Sequence, residues 1–198
     1  MTAQTQKLSF LVDQASVPAK QLQAPAPSAD ELDAILQAAM SAPDHGGLTP
    51  FRFLIISGDG REKLAQTFAE AARQRGLDEA GVQKQRAKPL RSPLIVTVIA
   101  TPQDCPGIPE IEQLLCAGAA TQHIQLACRA LGFGSIWLTG DNSYDLNVYQ
   151  ALGLDMHERI IGFIYIGTPQ SPPEKKIRPL ATTITDRWDG PQMPEFAI

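Results

Sequence analysis

The sequence is poor in aromatic residues and has no surplus of basic ones, and each shortage argues against a class of function. Only 6% of its 198 residues are aromatic, which argues against a surface that stacks nucleic-acid bases. Its 17 lysines and arginines are spread along the chain and are outnumbered by 21 acidic residues, for a net charge of −4. Because a protein that follows phosphate backbones needs a basic face, we do not expect nucleic acid as a partner.

Long hydrophobic runs and paired cysteines are also missing. The best apolar runs, Pro93–Ala100 and Ile160–Gly167, are far shorter than the roughly 20 residues that cross a bilayer, and no signal-peptide pattern opens the chain. We therefore expect no membrane partner. The cysteines form no C-x-x-C pair and are odd in number, so we expect reduced thiols in a cytoplasmic protein, two of them buried in a helix. They are Cys105, Cys116 and Cys128.

Several common functional motifs are absent from the sequence. There is no phosphate-binding G-x-x-x-x-G-K-[ST] loop and no G-x-S-x-G nucleophile elbow. Gly132 and Gly134 lack the third glycine of a dinucleotide fingerprint, since Trp137 occupies its position. The histidines stand far apart in sequence, at His45, His123 and His157, so no metal site is expected.

What the sequence does contain is an alternation of strand and helix patterns that predicts one domain over residues 1–198. Ser28 and Glu31 form a capping box that begins a helix ending near Ser41. Strands are predicted at Phe51–Ser57, Pro93–Thr101, Ser135–Leu138 and Arg159–Gly167. Further helices are predicted at about Leu8–Asp13, Arg61–Arg75, Glu79–Ala87, Glu110–Leu131 and Ser143–Leu152.

Two features of this pattern bear on assembly. The longest helix carries the small residues Ala117, Gly118, Ala119 and Ala120 in its middle, which suits the centre of the molecule or a subunit interface. A Pro-rich tail follows, covering residues 169–198. A tail of that length on a compact domain is either disordered or packed on a partner subunit, and we expect the second.

A set of ordered blocks resembles the nitroreductase family. The first runs from Ala39 to His45 and contains P-D-H, and Pro50–Ile56 follows it. The others are Arg91–Val98, Ala130–Trp137 and Ile161–Pro169. Together they span roughly residues 8–170 in the family's order and spacing, and they are most similar to small NAD(P)H nitroreductases with a P-D-H motif. Each block alone is unspecific, whereas the ordered set is specific.

The resemblance implies a fold and an activity. The fold is α+β, with a mixed, mainly antiparallel sheet flanked by helices and a long central helix at an intertwined homodimer interface. The activity is that of an FMN-dependent oxidoreductase. NAD(P)H, a transient co-substrate, reduces the flavin and leaves before an acceptor such as a nitroaromatic or quinone takes the electrons. No fixed catalytic side chain is implied, because the cofactor carries out the hydride chemistry.

Carried over position by position, the resemblance assigns cofactor contacts unevenly. The family's N-terminal R-x-S phosphate motif falls on Gln14, Ala15 and Ser16, so only Ser16 fits. Trp137 and Thr139 fit as neighbours of the flavin ring, but the arginine between them is replaced by Leu138. Positions that touch the flavin fall on Ser41 and His45, the latter contributed by the other subunit, whereas a polar residue of many relatives is replaced by Gly47.

The tail offers cations that offset these losses. Lys176 and Arg178 resemble the C-terminal K-x-R with which more distant nitroreductases bind the FMN phosphate. They could equally be part of a solvated basic cluster with Lys175. Likewise His45 could be satisfied by a backbone carbonyl, and Trp137 could be plain core.

The missing arginines keep two other functions open. The chain could be a nitroreductase-fold protein that has lost redox activity and serves as a flavin-binding or regulatory module, or an enzyme that fragments or stores flavin. Absence of flavin uptake, or uptake without reduction by either nucleotide, would identify the first, and loss of flavin during turnover the second.

Overall fold

A computed structural model of the protein describes residues 3–174 and 176–190, and side chains from Leu8 onwards. The helices are α1 (Ala3–Val12), α2 (Ala29–Ala39), α3 (Asp59–Gln74), α4 (Glu79–Arg86), α5 (Glu110–Ala130) and α6 (Leu146–Ala151). The strands are β1 (Leu22–Gln23), β2 (Phe51–Ser57), β3 (Leu94–Ala100), β4 (Gly134–Leu138) and β5 (Arg159–Pro169). No helix among these residues is long and apolar enough to cross a membrane.

The strands form one antiparallel sheet with β5 as its hub. Its order is β1-β5-β3-β2, and β4 also pairs with β5. Every residue of β3 is buried, as its continuous apolar run predicts, because helices cover both faces of the sheet. The predicted α+β fold with a mainly antiparallel sheet is therefore confirmed.

The sheet separates two apolar layers. On one face α2 and α5 pack on Val96, Val98 and Ile164, and the small residues Ala117 and Ala120 of α5 are fully buried there. On the other face α3 and α6 pack on alternate residues of the same strands, such as Ile95, Phe163 and Tyr165. The small residues in the middle of the longest helix therefore pack within the protomer, while Ile111 and Leu115 of the same helix are exposed.

Local signals decide where several elements begin. The capping box is present: Ser28 N donates to Glu31 Oε2 over 2.8 Å, and the Ser28 hydroxyl accepts from Glu31 N. The prediction at the N-terminus was short, since α1 begins at Ala3 rather than near Leu8. The helix predicted from Ser143 begins only at Leu146, because a separate single turn precedes it. β1 was not predicted, as its two residues are too few to show a pattern.

One ion pair connects the edge strand β2 to the residue before β5. Arg52, on β2, donates to both carboxylate oxygens of Glu158, over 2.6 and 2.8 Å. The hydrogen bond from Arg52 holds the pKa of Glu158 below its ordinary value, although partial burial opposes the shift. Because Glu158 directly precedes β5, this pair fixes the start of β2 against the start of β5.

Candidate functional site

The segment before β1 lies alongside β4. Val17 N donates to Ser135 O over 3.0 Å, so residues 14–17 run next to the start of that strand. Gly134 permits the approach, because a Cβ there would lie 2.8 Å from Leu22 Cδ2 and 2.9 Å from Val17 Cγ2. The predicted contact residue Ser16, half-buried, is thereby placed beside the strand that carries Trp137.

Trp137 is held at the far end of β4 between β5 and α5. Its indole N–H donates to Ile161 O over 3.0 Å. Gly162 leaves room for the ring, since a Cβ there would lie only 2.1 Å from Trp137 Nε1, and Gly118 of α5 faces the ring from the other side. The ring is half-buried, and Thr139, beyond the end of the strand, is exposed to solvent.

Ser41 and His45 are positioned at a different place, where the end of α2 meets α5. The Ser41 hydroxyl donates to Ala38 O over 2.7 Å and lies 3.1 Å from His123 Nδ1. Since its single proton is used by that carbonyl, it accepts a hydrogen bond from His123, which assigns the proton to Nδ1. His45 Nδ1 lies 2.7 Å from Glu112 Oε2 in a solvent-exposed pair.

The tail returns to the N-terminal segment. Arg178 Nη2 donates to the carbonyl of Gln14 over 2.5 Å. Lys176 and Arg178 line a surface cavity of about 490 Å³ whose opposite wall is residues 11–14. The structure thus brings Arg178 to the segment containing Ser16, while Lys175, the third member of the suggested basic cluster, lies outside the described residues.

A second cavity, of about 340 Å³, adjoins the first across Asp13 and Gln14. Its walls include Ala15, the start of β4, and Arg129 from the last turn of α5. The Arg129 guanidinium donates to the carbonyl of Phe10 and lies 4.8 Å from the centre of the Phe10 ring. Sequence reasoning missed Arg129, because a basic residue at a helix C-terminus is common and nothing in the pattern shows its neighbours.

Other reactive groups are accounted for elsewhere. Burial raises the pKa of the Cys128 thiol to about 12 and raises the pKa of the Cys116 thiol, so neither supplies a thiolate at neutral pH. Both are buried, as predicted.

A cavity of about 550 Å³ lies in the loop between β3 and α5, beside His157 and Arg159, and none of the predicted site residues lines it.

The sequence and fold match known proteins over most of their length. A model of the nitroreductase family matches residues 16–168. The chain is 39% identical over 163 residues to the Escherichia coli (strain K12) protein named "Putative NAD(P)H nitroreductase YdjA", covering 82% of this chain and 88% of that one. A nitroreductase-like family protein from Bacillus cereus superposes with a TM-score of 0.79 at 25% identity, over 96% and 100% of the two chains. A Desulfovibrio desulfuricans protein of the same fold, solved in complex with FMN, gives 0.69 at 24% identity over 91% and 95%.

Proposed function

This chain belongs to the nitroreductase family, and on that basis we propose that it is an FMN-dependent NAD(P)H oxidoreductase with ping-pong kinetics. The observation that carries the proposal is the match of the nitroreductase family model to residues 16–168. In the fold, the segment of residues 14–17 lies beside β4 and also contacts the tail. The acceptor class we propose is a nitroaromatic, a quinone or a similar small oxidant.

The donors around residues 14–17 fit a phosphate monoester. Arg178 and Lys176 line the cavity beside Gln14 and supply positive charge, and Ser16, two residues further along the chain, carries a hydroxyl. The side-chain oxygen of Gln14 is buried and has no hydrogen-bond partner among the described residues, so this segment retains unused polar capacity. We assign the phosphate end of FMN to these residues. The departures at Gln14, Ala15 and Leu138 reduce the charge available there but leave two cations in the tail.

The ring end of the cofactor is assigned to Trp137 and Thr139. When bound, FMN accepts hydride from NAD(P)H and later passes it to the acceptor. The chain's part is to position a ring wall: the bond from the Trp137 indole to Ile161 O holds the side chain in place. No side chain is assigned as a proton donor, since solvent can supply the proton.

A second copy of the chain completes the proposed site. Ser41 and His45 are held on α5 rather than beside β4, so in our proposal they reach the flavin bound by the partner subunit. Among the exposed large apolar side chains of one protomer, those of α1, α5 and the tail suit a homodimer whose tail packs on the other subunit. They are Leu8, Leu11 and Val12 of α1, Ile111 and Leu115 of α5, and Ile177, Leu180, Ile184 and Trp188 of the tail.

A second candidate function follows from the lost arginines. With Gln14, Ala15 and Leu138 at positions where the family carries positive charge, the chain could bind flavin without turning it over, as a flavin-binding or regulatory module. This candidate predicts uptake of FMN with no reduction by either nucleotide.

The absorption spectrum of the purified protein separates these functions. We expect a yellow protein that NADH or NADPH bleaches without oxygen, and that a nitroaromatic or quinone turns yellow again. Uptake of FMN without bleaching would support the second candidate. A colourless protein that takes up no FMN at micromolar concentration would contradict both flavin-binding functions and leave a regulatory module without flavin.

A further inference from the structure

Two arginines that are remote in sequence converge on one short segment. Arg129 donates to the carbonyl of Phe10, and Arg178 donates to the carbonyl of Gln14. One comes from the last turn of α5 and the other from the tail. Two guanidinium groups meet a stretch of five residues that contains one acidic side chain, Asp13, so the local charge is net positive in a chain whose net charge is −4.

The cavity that Arg129 lines has both apolar and polar walls, and Asp13 is its one acidic residue. Gln125 and Ser135, which also line that cavity, are 5% and 4% exposed, and the unpartnered side-chain oxygen of Gln14 belongs to the same wall. A guanidinium has five N–H groups, and the bond to the Phe10 carbonyl uses one of them. A guanidinium beside buried polar groups is suited to an anionic oxygen ligand.

A purely structural role for Arg129 has to be weighed against this. Its stacking on Phe10 ties α1 to α5, and a positive charge in the last turn of a helix interacts favourably with the helix dipole. Neither contact requires that Arg129 line a cavity beside Gln14 and Ala15. At these two positions this chain lacks the arginines of the family's phosphate motif.

We propose that Arg129 is a phosphate-binding residue of the flavin site, acting with Arg178 in place of the arginines missing at positions 14 and 15. The inference rests on the proposed function, since it assigns one more contact to the same cofactor. It makes the chain selective for FMN over riboflavin, which has the same ring and ribityl chain but no phosphate.

The experiment compares FMN with riboflavin. Flavin is removed from the wild type and from Arg129→Gln, and each apoprotein is titrated with both ligands by quenching of flavin fluorescence. We expect Arg129→Gln to weaken FMN binding by about ten-fold or more, because hydrogen bonds to charged groups are the strong ones, and to leave riboflavin binding within about two-fold. Arg129→Lys, which keeps the charge, is expected to recover part of the preference for FMN.

Two control variants separate phosphate binding from anchoring of α1. Arg159→Gln removes an exposed arginine that also donates to backbone carbonyls, but beside a different cavity, so it should leave both affinities unchanged. Phe10→Ala removes the ring under Arg129 and loosens α1 while keeping the guanidinium, so FMN should remain preferred. If Phe10→Ala abolishes the preference as fully as Arg129→Gln does, Arg129 acts only by anchoring α1, and the inference is overturned.

The outcomes also separate this inference from the proposed function. A wild type that binds neither flavin contradicts the proposed function itself. A wild type that binds FMN tightly, together with an Arg129→Gln variant whose FMN-to-riboflavin ratio is unchanged, contradicts only the role of Arg129. Urea unfolding of each variant, measured in parallel, ensures that lost affinity is not lost folding.

Discussion

β3 and the tail differ in the solvent exposure of their apolar residues. All seven residues of β3 are buried, whereas residues 176–189 of the tail are all exposed, including Leu180, Ile184 and Trp188. Both segments carry large hydrophobic side chains, so composition does not separate them. What separates them is that β3 is covered by helices of its own chain.

This difference indicates which parts of the molecule determine its stability and which parts serve the proposed function. The sheet and its covering helices bury most of their apolar side chains within one protomer and so form the scaffold of the molecule. The residues proposed to hold the cofactor lie at the edges of that scaffold: in residues 14–17, at the end of β4, in the tail, at the ends of α2 and α5, and in the turn that contains His45. Substitutions in the scaffold should therefore change the free energy of unfolding, and substitutions at the edges should change binding and assembly.

The largest expected effect is in β3. Ile95→Ala should lower the free energy of unfolding by about 3 kcal/mol, because a fully buried isoleucine loses its transfer free energy and leaves a cavity. Urea unfolding of the flavin-free protein, followed by far-UV circular dichroism, measures the change. A loss below about 1 kcal/mol would mean that the layer between β3 and α3 is not closely packed, and the contrast with the tail would fail.

The next effect is at Gly162, where scaffold and site meet. Gly162→Ala should cost about 2 kcal/mol, because its Cβ would overlap Trp137 Nε1 and force the indole from its bond to Ile161 O. We also expect a shift in the Trp137 fluorescence and weaker FMN binding. Gly60→Ala is the matched control: its Cβ would meet Ile56 at an ordinary 3.5 Å, so stability should be unchanged or slightly higher. Equal effects of the two substitutions would show that Gly162 has no special role.

The sequence predicted most elements of the scaffold, whereas the contacts around the proposed site could not be derived from its patterns. Patterns that local physics imposes, such as the Ser28 capping box and the apolar run of β3, appear in the structure where they were expected. The contacts of His45 with Glu112 and of Arg129 with Phe10 join residues 67 and 119 positions apart. No periodicity encodes such pairs, because they depend on how finished elements pack. Lys176 and Arg178 could be suggested only through a family resemblance.

A smaller effect is expected at the ion pair between Arg52 and Glu158. Glu158→Gln should lower the free energy of unfolding at pH 7 by about 1 kcal/mol, a modest value because Arg52 is 38% exposed. The hydrogen bond from Arg52 lowers the pKa of Glu158 below its ordinary value of 4.5. Its contribution is therefore complete at neutral pH and is lost as the pH falls below 4.5 through the lower pKa of the folded state.

Unfolding of wild type and Glu158→Gln across this acid range measures that contribution. The difference between them should shrink as the pH falls, because protonation removes in the wild type what the substitution has already removed. Glu70→Gln is the control, since its pair with Arg73 is exposed on both sides and should contribute less than about 0.5 kcal/mol. A difference that stays constant with pH would show that Glu158 acts through packing rather than charge.

The smallest effect on folding is expected in the tail, at Ile184. Ile184→Ala makes the same chemical change as Ile95→Ala, yet at protein concentrations where the chain is monomeric it should cost less than about 0.5 kcal/mol, because Ile184 is 83% exposed in one protomer. Sedimentation measurements should nevertheless find weaker self-association, since we propose that the tail packs on the partner subunit. A loss of monomer stability without any change in self-association would instead place Ile184 against its own chain. The tail would then be part of the scaffold, and a second copy would not be needed to cover it.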